Sequence, residues 1–497
     1  MASYNKKEHL RANIEAIKTV FALHREQRTA TPEERTVLEA YTGFGALKCI
    51  LSPANTMEDI ARWNKSELEL FPLVMELHRT IRDNTTSESQ YKSYMQSLKN
   101  SVMTAFYTPA PVVREIAASL REAGIVPKRI LDPSAGMGEF IRSFDTIAAE
   151  GHTTFGFEKD ILTGQMLSAL HPKDKIRIRG FEEIETKLNG FFDVVSSNIP
   201  FGDVAVFDPV FSKTAEPARK VARMSLHNYF FVKALDQVRP GGVVAFVTSR
   251  YTMDAKDSTV RRYLAQRAEL LGAIRLPNNA FRANAGTDVV SDILFLQKRD
   301  RPLDIAPDWT QTGRTEEGFT VNQYFLDHPE MVLGRPTAES TQYGKQDYTV
   351  APIEGLELAD QLHDAVKYIR GTYQEAALPE LGEGEDIDES LPADPNVKNY
   401  SYTVVDGAVY FRENSRMVRP DLNATAEARV KGLVGLRDCV QRLIDLEMDA
   451  AAPDADIRAQ MAELNRRYDD FSAKYGLIND RANRLAFSDD SSYYLLC

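Results

Sequence analysis

One stretch of the chain places polar groups where an apolar run stops, FDVVSSNIPFGD at residues 192–203. The run is typical of a buried strand whose carboxyl end carries Asn198, and parallel sheets place their chemistry at such ends. Pro200 cannot continue a strand ladder and biases Ile199 toward an extended backbone. The turn therefore groups the Asn198 carboxamide, the Ile199 carbonyl and the Phe201 ring, which together can hold an exocyclic amine on a planar ring. An ordinary strand followed by a Pro-Gly turn has the same letters, so this stretch by itself leaves both interpretations open.

A second stretch, ILDPSAGMG at 130–138, again has strand letters followed by a glycine-bearing loop. Gly136 and Gly138 allow a backbone to approach a ligand closely, and a helical pattern follows them. Glu158 ends the next strand pattern about twenty residues later, the spacing at which nucleotide-binding α/β units place a carboxylate on ribose hydroxyls. No Lys-Ser or Lys-Thr pair follows the glycines, so this is not a phosphate loop. Asp132 would repel a pyrophosphate but suits a cationic ligand.

Together the two stretches resemble those of S-adenosylmethionine-dependent methyltransferases, specifically the adenine-N6 DNA methylases. In that family an Asp-Pro-x-x-Gly-x-Gly loop holds the cofactor, and an Asn-Pro-Pro-Tyr/Phe turn holds the target amine. This chain has Ile199 where the family usually has its first Pro, at a position that contributes mainly a backbone carbonyl. Other motifs follow in the family's order: Phe106–Pro109, His227–Gly242, Val243–Arg250 and Gly272–Phe281. The likeness is strong over 101–300 and points to the large adenine-specific methylases of bacterial mobile elements and phages, which are often fused to a helicase.

The resemblance implies methyl transfer from S-adenosylmethionine to the N6 amine of a flipped-out adenine in DNA. It assigns the target amine to Asn198, Ile199, Pro200 and Phe201. It assigns the cofactor to Thr108, Asp132, Pro133, Ala135, Gly136, Gly138, Glu158, Phe181 and Glu182. Phe281, in a later loop, is a candidate for the opposite face of the adenine, and a place in the core suits it equally well.

Basic residues follow the turn at 198–201, namely Lys213, Arg219, Lys220 and Arg223, and these are candidates for contacts to DNA phosphates. A merely solvated face has the same composition. The net charge of −12 does not exclude a DNA partner, because eight acids and no Lys or Arg lie in 371–397, which leaves −4 for the rest of the chain. No spacing of His, Cys, Asp or Glu indicates a metal site.

The alternation of strand and helix patterns over 101–300 predicts an α/β domain, with a Rossmann-like methyltransferase sheet and helices on both of its faces. Segments 268–277 and 292–299 are expected to end the sheet as an antiparallel pair. The strands that carry Asp132, Glu158 and Asn198 should bring these side chains to one edge of the sheet.

The flanking regions divide into four further parts. Residues 1–100 have helical periodicity and predict an N-terminal helical region packed on the catalytic domain. A connector with a helix is expected over 301–374, and an acidic linker over 375–398. For 399–497 we expect a β-hairpin that turns at Asp406-Gly407, followed by an antiparallel helical hairpin. Its apolar seams are Leu433, Leu436, Val440 and Leu443 on one helix and Ile457, Met461, Leu464, Tyr468, Phe471 and Tyr475 on the other.

Composition excludes several classes of protein. No run of apolar residues is long enough to span a membrane, the first ten residues lack the apolar core of a secretory signal, and the three cysteines are widely separated. We therefore expect a cytoplasmic protein whose partner is DNA, with a helicase domain or subunit as a further partner and a role in restriction-modification or anti-restriction. Two alternatives stay open: a methyltransferase acting on a protein glutamine or an RNA base, and a non-catalytic binding protein of a mobile element.

Overall fold

The computed structural model describes most of the chain in two compact units, residues 1–378 and 379–497. The described residues are 5–45, 47–51, 58–63, 65–104, 108–202, 204–281, 289–340, 346–371, 391–392, 394, 396–413, 416–420, 422–449 and 452–497. Most of the acidic stretch 375–398, and Phe106 and Tyr107 of the motif before Thr108, lie outside them.

The first unit begins with helices, as the periodicity predicts. Leu10, Ile14 and Ile17 are fully buried on one face of the first helix. Thr31 caps the second helix in a capping box with Glu34, which satisfies two backbone N–H groups at once. The helices are α1 Lys6–Glu26, α2 Pro32–Glu39, α3 Phe71–Asp83, α4 Glu88–Thr104 and α5 Ala110–Glu122.

A seven-stranded sheet follows, and it includes the strands predicted before Asp132, Glu158 and Asn198 and within 268–277 and 292–299. They are β1 Arg129–Asp132, β2 Thr153–Phe157, β3 Lys175–Arg177, β4 Phe192–Asn198, β5 Val238–Ser249, β6 Ala268–Arg275 and β7 Ser291–Lys298. Their order in the sheet is β3-β2-β1-β4-β5-β7-β6. Strands β1 to β5 are parallel, whereas β7 is antiparallel to both β5 and β6. The predicted Rossmann-like sheet with an antiparallel end is confirmed.

The chain order of the strands reverses direction at β1, because β2 and β3 lie on one side of it and β4 and β5 on the other. Right-handed crossovers therefore place the connecting helices of the two halves on opposite faces. This switch point brings the carboxyl ends of β1 and β4 together. The helices over this region are α6 Glu139–Asp145, α7 Ile161–Leu170, α8 Pro209–Lys213, α9 Pro217–Ala222, α10 Leu226–Gln237, α11 Tyr251–Asp254 and α12 Thr259–Arg267.

The described residues in the remainder of the first unit include two short antiparallel pairs and two α-helices. Strand β8 pairs with β9, and β10 pairs with β11. These elements are β8 Thr312–Arg314, β9 Thr320–Asn322, α13 Gln323–Asp327, β10 Arg335–Ser340, β11 Gln346–Ala351 and α14 Leu358–Val366.

The second unit contains the predicted hairpin and helix pair, with two differences. Asp406 and Gly407 turn the hairpin with positive φ angles of 50° and 77°, but two further strands extend it to four. In the second helix Phe471 is buried, whereas Met461 and Tyr468 of the predicted seam are exposed. Gln460 is buried in place of Met461, and its side-chain N–H donates to the Cys439 carbonyl of the first helix at 2.9 Å. The elements are β12 Leu391–Pro392, β13 Tyr402–Val405, β14 Ala408–Glu413, β15 Arg416–Val418, α15 Ala424–Met448, α16 Asp454–Tyr475 and α17 Arg481–Phe487.

Within the described part of the chain, no helix is both long and apolar enough to cross a bilayer.

A buried ion pair ties the amino ends of the central strands together. The Asp193 carboxylate accepts the backbone N–H groups of Lys128 and Arg129, at 2.9 and 3.0 Å, and the Nε–H of Arg239, at 2.6 Å. Asp193 and Arg239 are almost fully buried. Because each charge depends on the other for compensation, loss of one is costly.

We therefore expect Asp193→Ala to lower the free energy of unfolding by about 3–5 kcal/mol, because it leaves the Arg239 guanidinium buried without its carboxylate. Urea unfolding followed by circular dichroism measures this. Asp300→Ala, which removes an exposed carboxylate just after β7, is the matched control and should change stability by less than about 0.5 kcal/mol. Equal effects of the two substitutions would contradict the role of the ion pair.

Candidate active site

The glycine-bearing loop after β1 has the backbone that its sequence predicts. Gly136 and Gly138 have φ angles of 52° and 82°, in the region that favours glycine. A Cβ atom at Gly138 would collide with the His171 ring, so a larger residue would require that ring to move as well as an unfavourable backbone angle. The loop then enters α6, for which Gly138 is the residue before the first turn. His171, at the end of α7, was missed in the sequence because nothing local to it signals contact with this loop.

Glu158 lies directly after β2 and holds the loop from the neighbouring strand. Its Oε2 accepts the Gly136 N–H at 2.9 Å, and its Oε1 accepts the Asp160 N–H at 2.7 Å. Ala135 is also fixed to this strand, because its N–H donates to the Phe157 carbonyl at 2.9 Å. Each Glu158 oxygen retains acceptor capacity for a further donor, such as a ribose hydroxyl.

Asp132, at the end of β1, is almost completely buried. Its Oδ1 accepts the Ser197 hydroxyl at 2.7 Å and the Ser134 N–H at 3.2 Å. Its Oδ2 is buried and has no hydrogen-bond partner among the described residues, and the same is true of the Thr108 Oγ1. Native proteins rarely leave buried polar atoms unsatisfied, so these two atoms are suited to polar groups of a ligand. Ser197 was not selected from the sequence, although it stands in the polar end of β4.

Burial raises the pKa of both carboxyls. For Asp132 the pKa is raised to about 7, against the opposing effect of the hydrogen bonds from Ser197 and Ser134. For Glu158 burial, together with the nearby Asp160 carboxylate, raises the pKa to about 8. Carboxyls in such an environment gain from a bound cation, which favours their ionised form.

The turn after β4 begins with Asn198, which is half-buried at the same edge of the sheet. The Ile199 N–H donates to the Val247 carbonyl of β5 at 3.1 Å, and the Ile199 side chain is almost fully buried. Pro200 and Phe201 follow and are half-buried. The hydrogen bond to β5 fixes the peptide unit between Asn198 and Ile199 beside the end of β4.

Of the other predicted cofactor residues, Pro133 lies within the loop after β1, but Phe181 and Glu182 are engaged elsewhere. Phe181 is 1% exposed, and its ring centre lies 5.2 Å from that of Phe230. The Glu182 carboxylate binds the Lys159 ammonium at 2.7 Å. Phe181 therefore packs in the core, where no adenine ring can stack on it without a rearrangement.

The predicted phosphate contacts differ among themselves. Lys213 and Lys220 are exposed, and Arg223 is half-buried. Arg219 instead binds both oxygens of Asp236, at 2.6 and 2.8 Å, and also binds Glu216 at 2.9 Å. Its charge is thus already compensated inside the protein, contrary to its predicted role in binding phosphate.

Phe281 is almost fully buried, as the core interpretation of this residue predicts. Residues 282–288, which follow it, lie outside the described part of the chain. Among the described residues, no group of His, Cys, Asp and Glu side chains could hold a metal ion.

Residues 90–309 match the family model of the N-6 DNA methylases. This region is thus similar to an N-6 DNA methylase domain. The resemblance predicted from the sequence is confirmed over it. Residues 198–201, which we name the catalytic turn after the role proposed for them below, and the loop after β1 both lie inside the matched range.

Relatives with known names match a part of this chain. Defense against restriction protein B of Escherichia phage P1 is 29% identical over 198 residues, which are 39% of this chain and 8% of that protein. Type II methyltransferase M.BanIII of Aneurinibacillus aneurinilyticus is 25% identical over 240 residues, covering 41% of this chain and 40% of the relative. The chain thus spans well under half the length of these relatives. A type I restriction-modification methyltransferase subunit from Streptococcus thermophilus aligns with a TM-score of 0.35 and 13% identity over 64% of this chain and 84% of that one.

The raised pKa values of Asp132 and Glu158 predict a pH-dependent affinity for a cationic ligand. Both carboxyls hold protons below their pKa in the free protein. Asp132 must release its proton to face a positively charged molecule, and Glu158 must release its proton for both oxygens to accept hydrogen bonds from ribose hydroxyls. S-adenosylmethionine should therefore bind more tightly as the pH rises from 6 to 7.5, by up to about tenfold per pH unit for each group that titrates. Calorimetry in buffers with different heats of ionisation should detect protons released on binding.

Glu158→Gln removes one of these titrating groups and should reduce the number of protons released. Glu122→Gln, an exposed change at the end of α5, is the control and should leave the release unaltered. An affinity that does not change over this pH range would contradict the assignment of the two carboxyls to the cofactor.

Proposed function

We propose that this protein transfers the methyl group of S-adenosylmethionine to the N6 amine of an adenine in DNA. The observation that carries the proposal is the position of the catalytic turn. It lies one strand from the Asp132 loop at the switch point of the sheet, inside the region that matches the N-6 DNA methylases.

The catalytic turn supplies the acceptors that this chemistry needs. An aryl amine is a weak nucleophile because its lone pair is delocalised into the ring. The Asn198 side-chain oxygen and the Ile199 carbonyl would accept its two N–H groups, favour a tetrahedral nitrogen and stabilise the positive charge that develops there. The hydrogen bond from the Ile199 N–H to β5 anchors the start of the turn, and Pro200, which follows the carbonyl, restricts the backbone on its other side. No strong base is required.

An adenine within a duplex cannot reach the turn, so the nucleotide must leave the base stack at a cost of about a few kcal/mol. Phe201, half-buried beside the acceptors, would stack on the extruded ring and so offset part of that cost. Pro200 stiffens the backbone between the acceptors and the ring.

The loop after β1 would hold the cofactor. The unpartnered oxygens of Asp132 and Thr108 and the positive-φ backbone of Gly136 and Gly138 fit its charged amino-acid end, and Glu158 fits its ribose hydroxyls. When bound, S-adenosylmethionine supplies an electrophilic methyl group on a sulfonium sulfur. The ionised Asp132 and Glu158 would favour binding of this positively charged molecule.

The size of a relative supports a partner beyond DNA. The 198 residues that match the phage protein are 8% of its length, so that protein is much longer than this chain. We propose that the domain works with further domains or subunits in the cytoplasm, a helicase being the candidate that the resemblance implies. Labelled cofactor incubated separately with DNA, RNA and protein tests the substrate class, and label in RNA or protein alone would overturn the proposal.

Asn198→Ala should lower methyl transfer to DNA by about 100- to 1000-fold, because it removes one of two acceptors directed at the amine. Cofactor affinity should change little, since the residue acts on the target base. N6-methyladenine in digested DNA measures the rate, and calorimetry measures the affinity. Asn189→Ala, an exposed change just before β4, should retain full activity. Full activity of Asn198→Ala would refute the proposed mechanism.

Reversal of the exposed cations near the turn should weaken DNA binding. For the double variant Lys213→Glu and Lys220→Glu we expect a steep loss of affinity and a smaller salt dependence, by about 0.9 in the log–log slope for each phosphate that the protein no longer neutralises. Fluorescence anisotropy at several salt concentrations gives both quantities. Lys173→Glu with Lys187→Glu makes the same change in charge at exposed sites that precede β3 and β4. Equal reductions in affinity for the two double variants would show that only the total charge of the protein matters, and would contradict specific phosphate contacts by Lys213 and Lys220.

A further inference from the structure

The segment that follows the catalytic turn exposes an unusual amount of apolar surface. We define the post-turn segment as residues 204–224, which include α8 and α9. Five of its large apolar side chains are between 37% and 59% exposed. They are Val204, Phe207, Val210, Val221 and Met224.

This exposure belongs to a well-anchored piece of structure. The Val206 N–H donates to the Arg223 carbonyl at 2.7 Å, and the Leu226 N–H donates to the Gly202 carbonyl at 3.0 Å. These two bonds fold the two ends of the segment against each other beside the catalytic turn. Val204, Phe207 and Met224 are therefore close to the bonded positions on the paired stretches.

Buried contacts hold the segment from beneath. The Asp208 carboxylate caps α8 and also accepts the Tyr229 hydroxyl at 2.6 Å and the Lys233 ammonium at 2.8 Å. Phe211 is fully buried, with its ring centre 4.9 Å from that of Tyr229. The apolar side chains are thus presented outward from a fixed base, and a binding partner has a preformed surface to meet.

Charge on the segment distinguishes between partners. Lys213 and Lys220 are exposed on the same segment, whereas Asp208 is buried and Glu216 is bound by Arg219 and Arg267. The surface therefore combines apolar side chains with exposed positive charge. A DNA duplex from which one nucleotide has been extruded matches this combination. It exposes the unstacked, apolar faces of the neighbouring bases, and its phosphate backbone is negatively charged.

We propose that the post-turn segment inserts apolar side chains, chiefly Phe207 and Met224, into the space that the target adenine vacates in the duplex. The inference rests on the proposed function and extends it to how the extruded state is held. Extrusion leaves neighbouring base pairs without a stacking partner, and apolar side chains are the groups that proteins insert between separated bases. The segment begins three residues after Phe201. The catalytic turn would therefore hold the extruded base while the post-turn segment fills the gap that the base leaves in the duplex.

The test compares two DNA duplexes that differ only at the position opposite the target adenine, which faces either thymine or an abasic site. The abasic duplex lacks the base pair from the start, so extrusion from it requires less assistance. Phe207→Ala and Met224→Ala should lower methylation of the paired duplex by about tenfold or more and remain within about threefold of wild type on the abasic duplex. Phe207→Leu should recover most of the activity on the paired duplex.

Val126→Ala is the matched control, since Val126 has the same exposure as Phe207, 48%, and precedes β1 at the opposite edge of the sheet. It should behave as wild type on both duplexes, and all variants should keep their cofactor affinity and melting temperature. Equal reductions on the two duplexes, or no reduction on either, would overturn the inference and assign the surface to a protein partner. Wild-type protein that methylates neither duplex would instead overturn the proposed function.

Discussion

The hydrogen bond between Ser197 and Asp132 joins the two parts of the site. It connects the carboxyl end of β4, which leads into the catalytic turn, to the carboxyl end of β1, which leads into the loop proposed to hold the cofactor. Burial of a carboxylate is costly unless it is paired, and Asp132 has one oxygen satisfied and one left for a ligand. The ionised form of Asp132 is thus unfavourable in the free protein, and a bound cation would stabilise it. Only the reversal of strand order at β1 makes these two strands neighbours, so the topology of the sheet decides the chemistry.

The N-terminal helices belong to this site as well as to the fold. The hydrophobic core of these helices also includes Met137, in the loop after β1, and residues of α7. Ser97 of α4 donates to the Asp160 carboxylate at 2.5 Å, and the Asp160 N–H in turn donates to Glu158. The position of the acid assigned to the ribose therefore depends on a helix more than fifty residues before it in sequence. A truncation that removes these helices would expose the core that supports Glu158.

The basic residues serve two different purposes. Arg239 and Arg275 are buried and bind the carboxylates of Asp193 and Asp292 inside the protein. Each buried charge depends on its partner for compensation, so these arginines contribute little to the charge at the outer surface. Exposed lysines near the catalytic turn carry the charge that a polyanion can reach. A net charge of −12 therefore gives no guide to the charge at the site, since attraction over a screened distance depends on the groups that lie nearby.

The sequence by itself determined the α/β sheet with its antiparallel end, the positive-φ loop after β1 and the turn after β4, because each depends on short-range pattern: apolar runs, glycines and a proline a few residues apart. Tertiary structure decided which polar groups were available. Arg219 has a local sequence that suits DNA binding, yet it forms an ion pair with Asp236. Phe181 packs against aromatic rings from other elements. Ser197 and His171 became part of the site only through strands and helices that meet across the fold. Burial and pairing depend on neighbours distant in sequence, and no local pattern encodes them.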